Sequence, residues 1–152
     1  MNFVFVLFVV YQLKQWICDY PLQTEWMLGK FNKHGWFGPL ASHAAVHALA
    51  TFLIVKLSGM PFAFAMAMAH FDFVVHFTMD LIKTSPKLMG RWKLLSAPLI
   101  TYFKSQLKVR LARQEAQEAL RGNKLWHWAY GFDQMVHHLT HCAIIYMVAL
   151  HR

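Results

Sequence analysis

The chain has 152 residues, 57% of them hydrophobic and 14% charged, with a formal charge of +8. One domain suits that length, and so apolar a composition argues against a soluble globular protein and for membrane spans. The two cysteines, Cys18 and Cys142, form no CxxC pair and lie in apolar runs, which disfavours a thiolate zinc site and predicts buried free thiols.

The apolar runs predict an all-α fold: an integral membrane four-helix bundle, one domain over 1–152, with spans at about 3–19, 39–58, 60–83 and 125–150. Asn2 to Tyr11 has neither a basic leader nor a small-residue cleavage site, so it is expected to be a retained first span and not a signal peptide. The shortness of that run keeps an interfacial helix open as the alternative. Within it Gln12, Gln15 and Asp19 share a face, and Lys14 is expected to snorkel to the interface. Residues 20–38 hold Pro21, Trp26 and Trp36, a pattern that suits a headgroup-level belt. Gln23 follows Asp19 by four residues, so both can face one site across the Pro21 turn.

In the second span Pro39 suits the first helical turn, and His43 and His47 lie one turn apart on a single face. A tight turn is predicted at Gly59 and Pro61. The third span starts with Ala, Met and Phe, which suit close helix packing. It then changes character: Asp72, His76 and Asp80 follow i, i+4, i+8, with Lys83 at the membrane surface. His70 points elsewhere and is expected to be a hydrogen-bonded packing residue.

Residues 84–124 form the one sizeable polar insertion, in which Phe103 to Leu120 reads as a cytoplasmic basic amphipathic helix. Such a helix beside a bilayer is expected to lie on anionic lipid headgroups. Nothing in it reads bases, so nucleic acid is not the expected partner. The fourth span opens on another aromatic belt, Trp126, His127, Trp128 and Tyr130, and repeats the spacing with Asp133, His137 and His141. Gln134 and His138 are displaced by about 100° and suit a supporting role.

Charge placement orients the bundle. With these spans, 13 of the 15 Lys and Arg residues belong to the face holding the span 1–2 and 3–4 connections; Lys56 and Arg152 lie toward the other. The positive-inside rule then puts that face in the cytoplasm of a bacterial inner membrane, with both termini outside. Because successive helices alternate direction, the end of span one, the start of two, the end of three and the start of four all meet there. Those are the ends that carry Asp and His.

An ionisable group in a membrane helix is a functional candidate by default. Imidazole and carboxylate at one-turn spacing on facing helices are what a metal site in a bundle requires. The expected ligands are His43, His47, His76, Asp80, His137 and His141. The expected ion is divalent, zinc first, with manganese or iron as alternatives. Asp19, Asp72, Asp133 and Gln23 are candidates for supporting those ligands, bridging, or acting as general base, and Lys83 for holding an anionic substrate group. A metal here would lower the pKa of a water molecule and polarise an ester or phosphoryl oxygen, which makes hydrolysis of a lipid or another phosphorylated substrate reasonable. Three other readings stay open. The histidines can be packing residues, the Asp and His chain can be a proton or metal-ion pathway, and the protein can be a non-catalytic adaptor docking through residues 84–124.

The segments DYPLQTEWM (Asp19–Met27), HAAVHALATFL (His43–Leu53), HFTMDLIK (His76–Lys83) and DQMVHHLTH (Asp133–His141) resemble, in this order, the DxxLQ, HxxxH, HxxxDxxK and DQxxH motifs of a family of small multi-spanning membrane proteins of bacteria and phages, a domain family of unknown function. They cover most of the chain outside 84–124. The resemblance implies a helical integral membrane protein and carries over Asp19, Gln23, His43, His47, His76, Asp80, Lys83, Asp133, Gln134 and His137 as motif positions. Gln15 stands where such proteins often have a histidine, one turn before the first aspartate. Some similar small membrane proteins are labelled metal-dependent hydrolases, and that likeness is an analogy.

Overall fold

The computed structural model describes residues 2–32, 34–85, 87–92 and 123–152. These residues are helical, without a strand. Four long helices run as α1 (Phe3–Asp19), α2 (Phe37–Leu57), α3 (Phe62–Thr84) and α4 (Lys124–Leu150), with short 3-10 turns at Met27–Phe31 and Met89–Trp92. The amphipathic helix expected at Phe103–Leu120, with its lipid contact, lies outside the described residues.

Local chemistry sets the helix ends. The Asn2 side chain accepts from the Val4 N–H, and the Asn123 side chain accepts from the Trp126 N–H, so each caps its helix start. Gly59, at φ +88°, makes the reversal between α2 and α3 in a left-handed conformation that other residues adopt only with strain. Pro61 then precedes α3 with its ring-fixed φ of −56°.

Helix α2 packs chiefly along α3, α3 also meets α4, and α1 lies against both α2 and α4. Each inner face follows helical spacing, for example Leu7, Tyr11, Lys14, Gln15 and Cys18 on α1, or Ala65, Ala69, Asp72, His76 and Asp80 on α3. One end of the bundle is a dry core of Leu7, Tyr11, Val55, Met60, Ala65, Ile144, Ile145 and Val148. The other end buries aspartate, histidine and lysine.

Among the described residues two helices, α2 and the one beginning at Phe62, are long and apolar enough to cross a membrane. Helix α1, with 17 residues, is about 25 Å long, a little short of a hydrocarbon core of about 30 Å. Helix α4 has length to spare at 27 residues, but its first two thirds carry Asp133, His137, His138 and His141.

Some side chains depart from expectation. Lys14 does not snorkel: it is 5% exposed and turned inward, because Asp72 offers it a buried carboxylate. Cys18 is buried as expected, whereas Cys142 is exposed on the outer face of α4. His70 is likewise exposed and is not packed between helices.

Candidate metal centre

The C-terminal ends of α1 and α3 and the N-terminal halves of α2 and α4 come together, so their ionisable residues share one region. Asp19, His43, His47 and His76 each offer a ligand atom within 4.8 Å of all the others, and Asp80, Asp133 and His137 do the same. Asp80 joins the two groups. Its Oδ2 lies 3.4 Å from His43 Nε2, while its Oδ1 takes Lys83, which also holds Asp133.

Distances in the first group suit a metal. Asp19 Oδ1 lies 3.2 Å from His47 Nε2 and 3.4 Å from His43 Nε2. Ligands about 2.0–2.1 Å from a tetrahedral zinc stand about 3.3 Å from one another, so these spacings match the edges of such a polyhedron. In the second group His137 Nε2 is 3.2 Å from Asp133 Oδ1. The donor set, nitrogen and carboxylate oxygen without thiolate, fits zinc, manganese or iron equally by chemistry.

His76 occupies the centre. Its ring stacks on His47 at a centroid distance of 3.6 Å and on His137 at 3.7 Å, so a column of imidazoles crosses α2, α3 and α4. The residue is 1% exposed, and among the described residues neither ring nitrogen has a hydrogen-bond partner; the Asp72 carboxylate oxygen nearest to Nδ1 is 3.8 Å away. Each unmade bond of a buried polar group costs about 1–3 kcal/mol. Two on one ring leave His76 with the capacity to take an ion or a water molecule.

Two expected site residues stand apart, one turn deeper. Asp72 Oδ2 takes Lys14 Nζ at 2.7 Å and the Thr51 hydroxyl at 2.7 Å. His141 Nε2 lies 3.1 Å from the same ammonium, and its ring tilts against Tyr11. With Lys14 and Thr51 engaged, Asp72 is a neutralised buried carboxylate.

The centre opens on a cavity of about 180 Å³, lined by Asp19, Tyr20, Gln23, Lys30, Phe31, Lys83, Trp126, Tyr130 and Gln134. Asp19, with its side chain 19% exposed, also lines a neighbouring cavity with Gln12, Gln15 and His138. Gln15 donates to Asp19 Oδ2 at 2.7 Å, and Gln134 to Asp133 Oδ2 at 3.3 Å, so both amides support carboxylates. The hydroxyls of Tyr20 and Tyr130 meet across the rim at 3.2 Å.

Lys30 is a site residue the sequence reading missed. It lies in the 3-10 turn, pairs with Asp80 Oδ2, and reaches Gln23 Oε1 at 3.3 Å. Burial pushes its ammonium below the usual lysine value, and the Asp80 charge opposes that push. The sequence singles it out by nothing, since Lys33 follows three residues later in the same segment.

No protein-family model, curated protein or solved structure matches the chain.

Proposed function

We propose that the chain is a multi-pass metal protein of the bacterial inner membrane, a metal-dependent hydrolase acting on a lipid or another phosphorylated substrate at the cytoplasmic face. The observation that carries this reading is the buried, unpartnered His76 among Asp19, His43 and His47. The resemblance of the four motifs to small multi-spanning membrane proteins favours the membrane part of this reading and supplies no activity.

Membrane embedding of all four helices is supported by their inside-out character. Phe5 and Trp16 on α1, Leu53 on α2, Phe62 on α3, and Leu139 and Tyr146 on α4 are all at least half exposed. An apolar exterior around ionisable inner faces suits lipid as the surrounding solvent. With the basic connections inside, both termini lie outside.

In this reading Asp19, His43, His47 and His76 hold one ion, and Asp80, Asp133 and His137 offer a place for a second. A divalent metal held by these residues would supply polarisation of a phosphoryl or ester oxygen and a lowered pKa for water. Gln15 and Gln134 hold the carboxylates of Asp19 and Asp133 in orientation. Tyr20, Trp126 and Tyr130 at the rim exclude bulk water and give an acyl chain or ring an apolar wall.

A transport reading draws on the Lys14–Asp72–Thr51 network, which carries polarity deeper than the centre. The dry core beyond it favours one-sided chemistry over passage. The adaptor reading depends on residues 84–124.

Purified protein, handled without chelators and analysed by inductively coupled plasma mass spectrometry, tests the proposal. Wild type is expected to retain stoichiometric zinc, manganese or iron. His47→Ala and His76→Ala are expected to lose at least about 100-fold in metal affinity while remaining helical. Metal-free wild type would overturn the reading.

A further inference from the structure

The second ligand group already holds a cation of the protein's own. Lys83 Nζ lies 2.8 Å from Asp80 Oδ1 and 2.8 Å from Asp133 Oδ2, and Lys30 Nζ pairs with Asp80 Oδ2. A divalent ion bound by Asp80, Asp133 and His137 would need an Asp80 oxygen that a lysine now holds, and would sit beside the ammonium of Lys83 even if it took Asp133 through Oδ1, the oxygen 3.2 Å from His137 Nε2. Two cations within a few ångströms in a buried region repel by several kcal/mol, so ion and ammonium exclude one another. Both lysines also line the mouth cavity, on flexible stems with Gln23 and Gln134 beside them.

Resting on the metal reading, we infer that Lys30 and Lys83 are exchangeable counter-ions. Metal entry at Asp80 and Asp133 releases their ammonium groups into the cavity, where they form a binding site for a phosphoryl group.

Charge balance identifies the ligand class. Asp19, Asp80 and Asp133 contribute −3 and Lys30 and Lys83 +2, so the metal-free centre, with neutral imidazoles, stands at −1. One divalent ion takes it to +1 and two to +3. A loaded centre in low dielectric therefore calls for an anion, and one with several oxygens can meet both lysines and the metal at once. Before loading, the ammonium groups are committed to carboxylates and the centre repels anions. Binding is thus ordered, metal first and phosphoryl second.

The test is calorimetric titration of zinc into full-length detergent-solubilised protein, with and without inorganic phosphate. Wild type is expected to bind phosphate about tenfold or more tightly once zinc is present, and phosphate to raise zinc affinity by the same factor. Lys83→Gln is expected to move the two affinities in opposite directions: zinc tighter, phosphate coupling reduced. A merely structural lysine would weaken both. Nanodiscs of phosphatidylcholine with and without phosphatidic acid then separate the sources. Zinc-dependent protection of the lysines from acylation by the phosphatidic acid discs alone assigns a lipid headgroup, and equal protection by free phosphate assigns a soluble one. Zinc uptake with no phosphate coupling in wild type, or with coupling undiminished in Lys83→Gln, overturns this inference and leaves the metal reading standing. No zinc uptake overturns both.

Discussion

The two ends of the bundle use one architecture for opposite purposes. At one end Leu7, Val55, Ile144 and Val148 fill the space between helices with side chains that ask nothing of their neighbours but shape. At the other, the same helical positions a few turns along carry Asp19, His47, His76 and Asp133, whose demands the protein meets only in part. The lysines quiet the carboxylates, yet several imidazole nitrogens remain without partners. The dry end is satisfied by packing, while the polar end is a set of groups arranged for something else. Between them Lys14, Asp72 and Thr51 form a boundary layer.

Breaking that boundary is expected to have the largest effect on stability. Lys14→Met strands Asp72 as a buried charge and should cost about 3–5 kcal/mol in detergent unfolding; adding Asp72→Leu should return most of it. Equal loss in the single and double variants would show that the pair does not act as a unit. Ile144→Ala sharpens the contrast from the dry side. It should cost about 2 kcal/mol, the lower end for such a truncation if the bundle sits in lipid as proposed, and it should leave metal content unchanged. Altered metal content would mean that the two ends are not separable. The smallest effect is expected at the reversal behind the dry end. Gly59→Ala meets no steric obstacle but must hold φ +88°, so about 1 kcal/mol is expected in thermal unfolding with no change at the centre.

Much of the polar end was legible in sequence because helical spacing is a strong signal. Asp72, His76 and Asp80, and Asp133, His137 and His141, each announce one inner face, and alternating direction brings the right ends together. Periodicity does not assign partners across helices. Asp72 and His141 share their faces with the ligand groups, but one turn of depth delivers them to Lys14 instead. Lys14 itself was ambiguous, since a long aliphatic stem serves both snorkelling and burial, and the choice rests on a carboxylate 58 residues away. Lys30 lies in a segment of glycine, proline and tryptophan without periodicity, so only tertiary structure brings it to Asp80. Cys142 sits in an apolar run that proved to be the outer face of α4, and hydropathy does not separate lipid-facing from core-facing positions.

The plug of aliphatic side chains beneath Thr51 has a consequence for traffic and for energy. In the proposed membrane setting, whatever came to rest among the imidazoles would leave by the door it used, and so would each proton and water molecule involved. A charge on such a route would complete no crossing, so a voltage across the bilayer would find little there to push.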